Sequence, residues 1–182
     1  NLSFHPNATF NVTGITTNQT GVFKAGVKYG NIIWDCNGQA NYYAFRRNLD
    51  SINVKGSFTV KSTGTTYISF VNNSGRIKFP GGYYQTGGTV NYRESGTVVD
   101  TLDIGGDFVV TGGVFNSNTG GGNSLRIRLM GTNKSLTYAQ PGGNNTFWEL
   151  PGMYSLGSNL TLSSAGYGVV LHGTLHAGTN VI

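Results

Sequence analysis

Apolar residues recur in this chain at a fixed step of 25. One column reads Leu2, Val27, Ile52, Ile77, Leu102 and Ile127. The column two residues later reads Phe4, Tyr29, Val54, Phe79, Ile104 and Leu129. Polar residues stand between the two columns: Ser3, Lys28, Asn53, Lys78, Asp103 and Arg128. Alternation inside each run is that of a strand with one face in and one face out. Recurrence at a fixed step stacks such strands in register. Gly56, Gly81, Gly106 and Gly131 keep the same step, and Thr86-Gly87-Gly88 is matched by Thr111-Gly112-Gly113. These glycines are expected at tight turns repeated on every level. A third column, Phe58, Tyr83 and Phe108, breaks at Asn133.

The expected fold is all-β, a parallel β-solenoid (β-helix) with about 25 residues per coil. Three short strands and three turns use that length, and 182 residues give about seven coils spaced about 4.8 Å apart. A right-handed coil follows from the usual twist of parallel connections. A β-sandwich or jelly roll also has many short strands and glycine turns, but it gives no reason for two uninterrupted apolar columns at one step. The chain reads as a single domain over residues 1–182, regular to about 131 and built of irregular coils over 132–182. There Leu160/Leu162 and Val169/Leu171/Leu175 still alternate, and Asn144-Asn145 and Pro151-Gly152 mark longer turns. Lys78, Asp103 and Arg128 are expected to form a ladder of alternating charge. Neither end carries a recognisable cap, which predicts either adjoining sequence or head-to-tail stacking of copies of the chain.

Composition narrows the function. One cysteine excludes a disulfide scaffold, and Cys36, in the run Ile32-Ile33-Trp34-Asp35-Cys36, reads as a buried structural thiol. No apolar run is long enough for a transmembrane helix. The net charge is +5, but the basic residues are scattered, so nucleic acid is not an expected partner.

Catalysis on a β-helix needs carboxylates gathered on one face. The seven acids are Asp35, Asp50, Glu94, Asp100, Asp103, Asp107 and Glu149. Asp100 and Asp103 differ in strand parity. Asp103 and Asp107 share one, with Lys78 and Arg128 one step from the first and Gly82 and Thr132 one step from the second. That pattern reads as a surface charge ladder. His172 and His176 would lie about 13 Å apart on a strand, too far for one metal. Gly105-Gly106 and Gly120-Gly121-Gly122 open no helix and so are not phosphate cradles. No catalytic residue, metal set or cofactor is therefore expected. Aromatic and basic side chains are the candidate glycan contacts: Tyr42, Arg46, Arg47, Tyr84 and Trp148. In the pairs Tyr42-Tyr43 and Tyr83-Tyr84, alternation sends one ring inward and one outward.

Four segments carry a family likeness. They are Tyr29-Gly30-Asn31-Ile32-Ile33-Trp34-Asp35-Cys36, the run from Ile52 to Val60, the run from Leu102 to Gly113, and the run from Leu171 to Ile182. Together they resemble the repetitive β-helical regions of large secreted, adhesin-like surface proteins of Bacteroidota, substrates of type IX secretion. The resemblance implies export to the cell surface or the medium, and a stalk or spacer role without enzymatic activity. It also implies O-glycosylation at an Asp-Ser/Thr-apolar motif, which occurs at Asp50-Ser51-Ile52 and Asp100-Thr101-Leu102 and makes Ser51 and Thr101 the acceptors. Asn-x-Ser/Thr sequons, as at Asn7, Asn11 and Asn133, follow from an Asn- and Thr-rich composition. The expected function is an extracellular structural or adhesive segment, a rigid stalk or fibre unit. Its expected partners are copies of itself, glycans or host and matrix surfaces. The alternative is a carbohydrate-binding or polysaccharide-degrading β-helix.

Overall fold

The computed structural model describes residues 2–17, 22–24, 26–45, 53–71, 75–93, 100–118, 125–139, 146–158 and 169–180. In chain order the strands are β1 (Thr9–Val12), β2 (Lys28–Tyr29), β3 (Asn31–Asp35), β4 (Tyr43–Ala44), β5 (Asn53–Val54) and β6 (Ser57–Ser62). There follow β7 (Tyr67–Val71), β8 (Arg76–Phe79), β9 (Gly82–Arg93), β10 (Asp100–Ile104), β11 (Asp107–Asn118) and β12 (Leu125–Leu129). The last are β13 (Lys134–Tyr138), β14 (Thr146–Leu150), β15 (Met153–Leu156), β16 (Val169–Leu171) and β17 (Thr174–His176). The described residues contain no helix, so none is long and apolar enough to cross a membrane.

Every strand pair is parallel. One sheet follows the path β1-β3-β6-β9-β11-β13-β15-β17, and a second follows β16-β14-β12-β10-β8. β2 pairs with β5, while β7 joins both β4 and β9. β9 pairs through its first half with β6 and through its second with β7, so it spans two faces of the coil. β8 and β10 supply the remaining face. The molecule is a β-solenoid.

The 25-residue register holds on that remaining face. Ser3 bridges Lys28, Lys28 pairs with Asn53, and Lys78 pairs with Asp103, which pairs with Arg128. The solenoid has about five turns. Beyond Arg128 the period shortens and varies: Lys134 pairs with Tyr154, 20 residues on. Ile127 pairs with Trp148 and Trp148 with Val169, while Tyr154 pairs with Leu175, each 21 residues on. The coils after residue 131 are thus shorter, with steps of 20 and 21 where described; Leu160 and Leu162 lie outside the described residues. The break at Asn133 is an insertion. Phe108 pairs with Leu136, 28 residues on, and Asn133 takes a left-handed φ of 55° in the extra loop.

Gly56, Gly81, Gly106 and Gly131 do sit at a corner, but not because they need a left-handed backbone; none has positive φ. They are needed for close approach. A Cβ on Gly106 would lie 2.4 Å from the Gly81 carbonyl oxygen, and one on Gly131 2.4 Å from that of Gly105. The stack continues through Gly152, where the sequence suggested a longer turn, and on to Gly173. A Cβ on Gly152 would lie 2.0 Å from the Gly131 oxygen, and one on Gly173 2.0 Å from the Gly152 oxygen. At the next corner conformation does matter: Gly88 and Gly113 have φ of 69° and 78°. They bend β9 and β11 by bulges inside continuous strands, rather than separating strands.

The core is a chain of aromatic rings. From Phe4 it runs through Tyr29, Phe23, Phe45, Phe58, Phe79, Tyr83 and Phe108 to Tyr138, with neighbouring centroids 5.2 to 6.2 Å apart. Offset and edge contacts of this kind add to the area they bury. Val27, Tyr29, Val54, Ile77, Phe79, Leu102, Ile104, Ile127 and Leu129 of the two apolar columns are all buried. Ile52 lies outside the described residues. Leu2 and Phe4 depart from the pattern, being 60% and 40% exposed. The described coils cover them from one side only.

Buried polar groups are satisfied. The Gln39 amide accepts from Trp34 Nε1 at 3.0 Å and donates to the carbonyls of Asn41 and Tyr67. Gln85 repeats the device at a bulged corner, accepting from the Tyr83 hydroxyl at 2.8 Å and donating to Gly88 and Val114. Without these bonds each buried amide would be destabilising.

Candidate functional site

The outer surface of β8, β10 and β12 carries the largest concentration of described charge. Ile77, Phe79, Leu102, Ile104, Ile127 and Leu129 point inward, so Arg76, Lys78, Thr101, Asp103, Arg126 and Arg128 occupy the outward positions. Glu149 follows on β14, in register with Arg128.

The expected ladder of Lys78, Asp103 and Arg128 is corrected here. The three residues are in register, but the partner of Asp103 on β8 is Arg76, whose Nε donates to Oδ2 at 2.6 Å. Arg128 Nη1 reaches Oδ1 at 3.3 Å. The longer, forked guanidinium crosses diagonally to the carboxylate, and Lys78 stays exposed. Glu149 extends the network to Arg126 at 3.5 Å and to Arg128 at 3.4 Å. The acids are sunk and the cations project. The Asp103 side chain is 9% exposed, whereas those of Arg76 and Arg126 are each 51% exposed.

Two other described acids, Asp100 and Asp107, are engaged too. Asp100 faces inward, where Arg93 grips it with Nε and Nη2 and the Gly75 amide donates to it at 3.0 Å. Asp107 accepts from the Tyr84 hydroxyl at 3.2 Å and from the Ser135 amide at 2.8 Å. The insertion before β13 brings Ser135 to the level expected for Thr132. Asp50 and Glu94 lie outside the described residues. Among the described residues no three His, Cys, Asp or Glu side chains gather to hold a metal ion. His172 and His176 are exposed.

Of the candidate glycan contacts, Tyr42 is half-buried and stacked on Tyr67, with centroids 5.4 Å apart and planes at 14°, so each ring covers one face of the other. Tyr43 and Tyr83 point inward. Tyr84 is half-buried, and burial together with the Asp107 carboxylate raises its pKa. Trp148 falls in the register column of Ile127 and Val169. Arg46 and Arg47 lie outside the described residues, as does Ser51. Thr101, the other candidate acceptor, is half-buried between its register partners Arg76 and Arg126. The structure therefore does not bring the five candidate contacts together at one described site. Cys36 is buried, its Sγ donating to the Val12 carbonyl at 3.4 Å, and burial raises its pKa. A thiol in that setting is inert.

Sequence reasoning missed Arg76 and Arg126 as members of the charged face. The signal was present: both stand one residue before the first apolar column, one step either side of Thr101. Comparison with protein-family models, with curated proteins and with solved structures returned no match.

Proposed function

We propose that this chain is a non-enzymatic structural and adhesive segment, a rigid stalk or fibre-forming unit of a secreted or surface-attached bacterial protein. The observation that carries this reading is the parallel sheet whose path runs from β1 to β17. Each coil is hydrogen-bonded to the next, so bending or stretching the segment must break ladder bonds together. The glycine stack and the aromatic column reinforce the same direction. Export and surface location rest on the likeness of the Tyr29–Cys36, Ile52–Val60, Leu102–Gly113 and Leu171–Ile182 segments to the Bacteroidota proteins. The engagement of Asp100, Asp103, Asp107 and Glu149 in ion pairs and hydrogen bonds suits a scaffold better than acid–base chemistry.

Electron microscopy of the purified chain in dilute buffer tests this. Short uniform rods support a stalk, and filaments of constant width support a fibre unit. Irregular particles without a constant width would contradict both.

A further inference from the structure

We infer that the outer face of β8, β10 and β12 binds a linear anionic polysaccharide laid along the solenoid axis. The inference rests on the surface-segment reading above and gives its adhesive side a ligand class. Four cations, Arg76, Lys78, Arg126 and Arg128, share this face with two carboxylates, Asp103 and Glu149. The carboxylates do not cancel the field that a ligand meets. Asp103 lies beneath its two arginines at 9% exposure, while the outer ends of Arg76 and Arg126 project from the sheet. Arg76 and Arg126 therefore stand outermost in their pairs with Asp103 and Glu149. Lys28, on β2, continues the same register column toward the first coil.

The spacing suits a regular polymer. Arg76 and Arg126 are two coils apart, as are Lys78 and Arg128, so each pair of cations is separated by about 9.6 Å. That is close to the length of two sugar residues, so a polyuronate with a carboxylate on every residue presents one at each cation and another between them. Thr101 stands between the two arginines and offers a hydroxyl to the sugar. Nucleic acid is the less suitable polyanion. Single strands need aromatic side chains on which bases stack, and the outward positions of β8, β10 and β12 carry none.

The test uses the full chain, with intact mass confirming that Thr101 is unmodified. Polygalacturonate is the probe, dextran the neutral comparator and duplex DNA the competing polyanion. The variant Lys78→Gln/Arg126→Gln keeps both partners of Asp103. The variant Lys24→Gln/Lys61→Gln removes the same charge from exposed positions outside these strands. The wild-type protein should bind polygalacturonate and not dextran, with affinity falling as salt rises. The face variant should lose on the order of tenfold in affinity and the control variant much less, with melting temperature unchanged in both. No binding to polygalacturonate, an equal loss in both variants, or tighter binding to duplex DNA would overturn the inference. Uniform rods under the microscope without polysaccharide binding would remove this ligand and leave the stalk.

Discussion

Arg93 and Asp100 form a forked ion pair inside the solenoid, with side chains 0% and 3% exposed. They lie seven residues apart in sequence, at the end of β9 and the start of β10. A buried pair of this kind is weak evidence of stability, but losing one member is costly. Asp100→Ala leaves the guanidinium without its carboxylate and should destabilise the fold by about 3–5 kcal/mol. Arg93→Met/Asp100→Leu should recover part of that loss. Urea unfolding of the three proteins checks both statements.

The glycine stack makes a second prediction. Gly106→Ala pushes a methyl group against the Gly81 carbonyl carbon and oxygen, which are backbone and cannot swing aside. It should cost roughly 1–3 kcal/mol or more. Gly14 has no neighbour within 4 Å of the same added atom. Gly14→Ala should stay within about 0.5 kcal/mol of wild type. Thermal melts of the two variants side by side read the difference.

Members of the two apolar columns should respond differently to the same change. Ile104 is fully buried between Phe79 and Leu129, whereas Leu2 is 60% exposed. Ile104→Asp buries an unpaired charge and should cost more than about 4 kcal/mol, enough to unfold the middle coils. Leu2→Asp should change stability by about 0.5 kcal/mol or less. Circular dichroism against temperature separates the two.

Alkali should loosen the fold through its buried tyrosines. Burial pushes the Tyr154 hydroxyl up to about 12; it donates to the Gly106 carbonyl at 2.7 Å and lies 3.3 Å from the Gly131 amide that donates to it. Tyr83 is also raised by burial. A folded-state pKa above the unfolded value of about 10 gives stability that is complete below pH 10. It is lost as pH rises through about 12. Unfolding free energy should fall across that window. Tyr154→Phe should flatten the fall, at the cost of the hydrogen bonds to the glycine stack.

The step of 25 made the solenoid legible, because a stacked coil leaves the same residue type at the same level on every turn. It worked best on β8, β10 and β12, where corresponding residues are register partners. It failed where loop length changed. The insertion before β13 moved the inner column from Asn133 to Leu136, and the later coils shortened to 21 residues, so Gly152 and Gly173 fell out of a column they still belong to. The charged face was half legible. The register of Asp103 was visible, but the choice of Arg76 over Lys78 depends on side-chain reach across the sheet. The Arg93–Asp100 pair and the buried amides of Gln39 and Gln85 left no periodic trace, since their partners are set by corners rather than by the repeat.

A stalk must carry load along its axis, so the most direct measurement is single-molecule pulling with handles before residue 2 and after residue 180. Coils held by ladder bonds should release one at a time. Turns of 25 residues should add about 80–90 Å of contour each, and turns of 21 residues about 70–75 Å. Extension without resistance, as for a flexible linker, would contradict the account.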